Sequence, residues 1–113
     1  MSRITSHVLD TALGRPASKL RVRLDVQDDD GSFRTISERF TNDDGKVTDL
    51  LAGSSLEART YRLTFDTGEY FAAAARPAFY PTVDVVFAVK APGEHHHVPL
   101  LLSPFGYSTY RGS

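Results

Sequence analysis

"KLRVRLDVQ", Lys19 to Gln27, alternates without a break. Leu20, Val22, Leu24 and Val26 fall on one face of an extended chain, and Lys19, Arg21, Arg23, Asp25 and Gln27 fall on the other. A period of two belongs to a β-strand with one buried and one wet face. Asp30-Gly31 follows, with the residue types of a hairpin turn, and Phe33 to Phe40 reads as the returning strand. Arg59 to Phe65 alternates again with Tyr61, Leu63 and Phe65 inward, and Thr82 to Val89 places Val83, Val85, Phe87 and Val89 on one face. Between these two strands "GEYFAAAA", Gly68 to Ala75, is rich in helix formers. Asp66 stands before it as a candidate cap, Glu69 completes a capping box, and Arg76-Pro77 ends it. Two further strands are expected at His95 to Leu102 and Tyr107 to Arg111, with a turn at Ala91-Pro92-Gly93 and a loop, "TNDDGK", at Thr41 to Lys46. Short strands separated by turn signals imply an all-β fold: an antiparallel two-sheet sandwich carrying one short helix.

The chain has 113 residues, enough for one domain, 1–113, with a real core and little room for a second. It has no cysteine, so disulfides and thiolate metal sites are excluded. Thirteen basic and 14 acidic side chains are mixed along the chain and give a formal net charge of -1. A nucleic-acid or membrane-surface binder would need a basic face, so neither partner is expected. "MSRITSHVLD" carries no apolar core of a signal peptide, and no apolar run approaches the ~20 residues that span a bilayer. The cytoplasm is the expected location.

"EHHHVPLLLSP", Glu94 to Pro104, holds three of the four histidines. On a strand, His95, His97, Pro99 and Leu101 share one face and His96, Val98, Leu100 and Leu102 the other. Both faces are apolar beyond the histidines, so one should meet the core and the other a second subunit or a pocket. Pro99 lacks an N–H, so an edge or bulge is expected there. Three readings of the histidines stand at this point. A His-x-His pair supplies two metal ligands, but a catalytic zinc takes about three and a closed one about four. Proton transfer near neutral pH needs only a histidine and a group to orient it. Solvated strand-end histidines suit His95 and His96 better than His97, which lies deepest in the apolar run.

Four stretches together resemble the 5-hydroxyisourate hydrolases, the transthyretin-like enzymes of urate breakdown. They are "SHVLDTALGRPA" (Ser6 to Ala17), "TNDDGK", "FYPTVDVVFAV" (Phe79 to Val89) and "HHHVPLLLSPFGYSTYRGS" (His95 to Ser113). The terminal "YRGS" is the stretch that separates such hydrolases from transthyretin carriers. The resemblance implies a transthyretin-like sandwich assembled as a homotetramer, a dimer of dimers, with sites in the channel between dimers. It implies hydrolytic opening of the 5-hydroxyisourate ring to an unstable imidazoline carboxylate (OHCU) on the path to allantoin, without metal or organic cofactor.

The resemblance also implies the site residues. His7 is the histidine of "SHVLD" and His97 the one directly before "VPLLLSP", and these are the expected catalytic pair. Substrate binding would fall to Lys46, Tyr110, Arg111, Gly112 and Ser113. The family loop ends in arginine where this chain has Lys46, which keeps the charge and loses the planar, bidentate fork. Ring opening needs a deprotonated water, a cation or donor facing the developing oxyanion, and a proton for the leaving nitrogen. The alternatives are a transthyretin-type carrier that binds a small ligand without turnover, an immunoglobulin-like adhesion domain, and a metal-binding protein.

Overall fold

The computed structural model describes residues 3–113; Met1 and Ser2, which open the stretch read above as free of a signal peptide, lie outside them. In chain order the elements are β1 (Ile4–Asp10), β2 (Arg15–Pro16), β3 (Arg21–Gln27), β4 (Phe33–Phe40), β5 (Lys46–Val47), β6 (Thr60–Phe65), α1 (Thr67–Ala73), β7 (Val83–Ala88), β8 (His96–Ser103) and β9 (Gly106–Thr109). They form two sheets, one ordered β4-β3-β6-β7 and the other β2-β1-β8-β9, with β5 added to β1. Val22, Leu24, Tyr61, Leu63 and Phe65 from the first sheet, with Leu20 just before β3, meet Ile4, Val8, Val98, Leu100 and Leu102 from the second in one buried core. The mostly β, two-sheet architecture with one short helix is the expected one.

Several local expectations change. The chain at Lys19 is left-handed (φ 59), so β3 begins two residues later, at Arg21. Asp25, on the face read as wet, is only 1% exposed. It lies beneath Arg62 (2.8 Å), Arg23 (3.3 Å) and Thr35 (2.8 Å), where the β3–β4 register shifts between Leu24 and Asp25. Asp66 makes no side-chain cap; it pairs instead with Arg21 at 3.1 Å. The helix is held at its start by Gly68 N–H donating to Pro81 O and Thr67 Oγ1 donating to Tyr80 O. It ends in a Schellman turn: Arg76 N–H donates to Phe71 O and Ala75 N–H to Ala72 O, with Ala75 left-handed at φ 54.

Strand β1 carries no clean alternation, because its inward positions include Ser6 and Asp10. Both are buried and satisfied. Ser6 Oγ donates to Val98 O at 2.7 Å. Asp10, 0% exposed, accepts from Arg76 (2.6 and 3.2 Å), the Tyr70 hydroxyl (2.8 Å) and Leu13 N–H (3.1 Å). Strand β1 pairs with β8 in parallel, Ile4 opposite His96 through Asp10 opposite Leu102, while the remaining pairings are antiparallel. Pro99 neither ends the sheet nor bulges it. The β8–β9 ladder stops at Leu100 opposite Thr109 and resumes in the same register at His97 opposite Gly112, so the missing N–H leaves a gap.

Candidate active site

The parallel pairing of β1 with β8 decides where the histidines go. Thr5 stands opposite His97 and His7 opposite Pro99, so Thr5, His7, His97 and Pro99 share the outer face of that sheet. On the other side of β1, His7 stands opposite Lys46 of β5, which brings Lys46 to the same face. From the far side of β8, Gly112 N–H donates to His97 O at 2.8 Å and carries the C-terminal tail across. The result is an open cleft of ≈ 310 Å³ lined by Arg3, Thr5, His7, Lys46, His97 and Ser113, with Ser6, Thr48 and His95 around them.

The Thr41–Lys46 loop is built to deliver Lys46 and to fix His7. Asn42 Oδ1 accepts from the N–H groups of Asp44 and Lys46, both at 2.9 Å, and closes an Asx turn. Thr41 Oγ1 donates to Ala17 O at 2.7 Å and accepts from Leu20 N–H at 2.9 Å, which anchors the loop's start. Gly45 is required: its φ is +75, and a Cβ there would collide with Val8 O. The loop then docks on β1 through Val8 N–H donating to Gly45 O at 2.8 Å. In this arrangement His7 Nε2 donates to Asp44 O at 2.8 Å. A carbonyl only accepts, so that nitrogen carries the proton and neutral His7 keeps its lone pair on Nδ1.

His97 is half-buried and differently held. Its Nδ1 lies 2.7 Å from Thr5 Oγ1, and the same hydroxyl lies 2.8 Å from His95 Nε2. Among the described residues no hydrogen bond engages His97 Nε2. Burial, reinforced by His95, His7 and Lys46, holds the His97 pKa below the ordinary histidine value. Burial and the neighbouring Arg3 and His96 do the same to His95. Gly112 packs on the ring edge, where a Cβ would stand 2.6 Å from His97 Cδ2.

Of the residues singled out in sequence, His7, Lys46, His97 and Ser113 therefore converge on one cleft, and Gly112 supports one of its rings. Tyr110 and Arg111 do not line it. They border a separate hollow of ≈ 350 Å³ with Val85, Val86, Phe87, Ala88 and Val98, and Arg111 pairs with Glu94 at 3.0 Å. His96 turns to the core side, with Nδ1 3.0 Å from Glu94 O. Among the described residues no three His, Asp or Glu side chains gather as a metal ion would require. Thr5 was missed; its signal is its place two residues before His7, on the same face of β1.

The sequence model of the HIUase/Transthyretin family matches residues 4–112. The chain belongs to this family. A Rhizobium meliloti (strain 1021) protein named 5-hydroxyisourate hydrolase 2 is 47% identical, covering 98% of this chain and 96% of the relative. The solved structure of Klebsiella pneumoniae 5-hydroxyisourate hydrolase superposes with a TM-score of 0.86 at 34% identity, covering 99% of this chain and all of that one. Sea bream transthyretin in complex with thyroxine superposes with a TM-score of 0.91 at 28% identity, covering 97% of this chain and 94% of that one. The fold alone thus spans an enzyme and a protein solved with a bound small molecule, and function has to be read from the cleft.

Proposed function

We propose that this protein is a 5-hydroxyisourate hydrolase, opening its substrate's ring by addition of water to give OHCU. The observation that carries the reading is the convergence of His7, Lys46, His97 and Ser113, from four separate segments, on one cleft of the outer sheet face. Water adds to the ring carbonyl while a histidine lone pair takes its proton. The C–N bond then breaks, and that proton passes to the leaving nitrogen. His97, held neutral by burial, is suited to take the proton and hand it on to the leaving nitrogen, and His7, with its Nδ1 lone pair free, is suited to accept from the attacking water and orient it. The Lys46 ammonium faces the developing oxyanion or the substrate's own negative charge, and Ser113 fixes the substrate ring by hydrogen bonding.

Residues 1–113 act as one domain in this reading, and the protein works as a cytoplasmic homotetramer, a dimer of dimers. Tyr110 and Arg111 then serve the terminal segment from outside the cleft, by placing Gly112 and Ser113. Two observations support assembly: β7 and β9 are the end strands of their sheets, and both border the hollow that holds Tyr110 and Arg111. Further exposed aromatics, Phe79, Tyr80, Phe105 and Tyr107, belong to the same wall or its neighbouring turns. Among the described residues no helix is long and apolar enough to cross a membrane.

The test is direct. Purified protein is added to 5-hydroxyisourate freshly made from urate, and the decay of its absorbance is compared with the spontaneous rate. Acceleration proportional to protein concentration is expected. Binding of a small ligand with no acceleration would favour the carrier reading and overturn this one.

A further inference from the structure

Thr5 is buried, 4% exposed, and its hydroxyl lies between two imidazole nitrogens at 2.8 and 2.7 Å. A hydroxyl has one proton to give, so it cannot donate to both rings. If it donates to one, it must accept from the other. In the first arrangement Thr5 donates to His95 Nε2 and accepts from a proton on His97 Nδ1, and neutral His97 keeps a lone pair on Nε2. In the second, Thr5 donates to His97 Nδ1 and accepts from His95 Nε2–H. Neutral His97 then carries its proton on Nε2 and takes none from water there. Only the first arrangement makes His97 Nε2 a base.

The rest of the site gives this choice consequence. Gly112 presses on the ring edge and its amide fixes the His97 backbone, so the ring has little room to turn over. His97 faces His95 just before its own strand, His7 on β1 and Lys46 on β5. Arg3 and His96 stand near His95, and Ser113 closes the cleft. The cationic groups in this set disfavour a resting charge on either ring. Two neutral rings sharing one hydroxyl therefore differ in tautomer, not in charge.

We propose that Thr5 and His95 act as a positioning pair behind His97, with the Thr5 hydroxyl donating to His95 Nε2 and accepting from His97 Nδ1–H, so that His97 Nε2 stays unprotonated to receive the proton of the attacking water. As His97 becomes an imidazolium, its Nδ1–H bond to Thr5 strengthens and lowers the cost of the charge. The inference rests on the hydrolase reading and adds two residues to it that act through His97. It also gives His95 a function that its neighbour on the core side, His96, does not share.

The test compares Thr5→Val, Thr5→Ser, His95→Phe and the double variant Thr5→Val/His95→Phe. Kinetics with 5-hydroxyisourate are measured across pH, together with nitrogen NMR of the His97 ring. Thr5→Val and His95→Phe should each lower kcat about 10-fold with KM within about twofold, less than the loss of the base itself. Both should displace the acidic limb of the kcat profile, and Thr5→Ser should recover most of the rate. The double variant should be no worse than either single one, because both break one chain of hydrogen bonds. In the native protein His97 should carry its proton on Nδ1, and Thr5→Val should lose that preference. Unchanged kcat and pH profile in His95→Phe, defects that multiply, or a native His97 protonated on Nε2 would each overturn the pair. His95 is exposed, so its variant folds whether or not Thr5→Val does. If the native protein does not accelerate substrate decay, the hydrolase reading falls, while the NMR arm still decides the tautomer.

Discussion

At the scale of the residue, the proposed site rests on two histidines that are held differently. His7 has its Nε2 committed to a backbone carbonyl, while His97 is depressed in pKa by burial and by His95, His7 and Lys46. A base whose pKa is lowered stays neutral through pH 7. The rate should therefore hold as pH falls toward the ordinary histidine value of ~6.5 and drop only below it, as His97 protonates. His97→Asn should cost roughly 100-fold or more in kcat and abolish that limb. An unaltered acidic limb in this variant would assign it to another group. Lys46 is exposed on a two-residue strand, and its backbone is fixed by Asn42 whatever side chain it carries. Lys46→Ala should thus keep the fold and lower kcat/KM by ~10-fold or more, the loss of one charged donor at a reacting centre. Lys46→Arg should match or exceed the native rate, since a planar fork suits a delocalised anion. Equal rates for Lys46→Ala and the native protein would make it an ordinary surface lysine.

At the scale of the element, β1 carries more of the design than its pattern announces. The motif "SHVLD" sends His7 outward and Ser6 and Asp10 inward, and Asp10 clamps Arg76 and Tyr70 at the end of α1. Burial opposes its ionisation, but the Arg76 and Tyr70 hydrogen bonds outweigh this and hold the carboxyl below its ordinary value. Asp10→Asn should destabilise the protein by about 3 kcal/mol, since it breaks a buried pair and strands Arg76. A folded-state pKa below the unfolded one means the contribution is complete above ~4 and is lost as pH falls further. The difference in stability between native protein and Asp10→Asn, measured by urea unfolding, should therefore shrink below that pH. A constant difference would show that packing, not charge, is what Asp10 supplies. The same strand shows why sequence reading succeeded in part. Strands β3, β6 and β7 were legible because their inward positions are nearly all apolar. Strand β1 was not, because two inward positions are polar and are satisfied only by partners some 60 to 90 residues away, Tyr70, Arg76 and Val98. Its parallel pairing with β8 likewise has no local signature, and with it went Thr5. His7, Lys46 and His97 were legible as motif residues, although their shared face follows only from register.

At the scale of the whole molecule, the outer sheet face with the cleft and the wall bearing β7 and β9 are both left uncovered by the described residues. Edge strands with exposed apolar side chains invite pairing with another copy, and a twofold axis lets both sheets continue at once. On β7 the outward positions are Asp84, Val86 and Ala88, and Val86 is 58% exposed. On the β9 side, Phe105 is 68% exposed, and Tyr107 and Tyr110 stand open nearby. A tetramer should thus appear by light scattering at about four times the 12.5 kDa of the chain. Val86→Lys places a charge on the free edge without entering the core, so its effect on the fold should be within about 0.5 kcal/mol while assembly weakens. Because the terminal "YRGS" segment runs along this wall before Gly112 and Ser113 reach the cleft, the smaller species should also lose activity as the tail loosens. Rate and mass should fall together on dilution of Val86→Lys and recover together at high concentration. A monomer with the native rate would separate the cleft from the assembly, and an intact tetramer in Val86→Lys would move the interface away from β7.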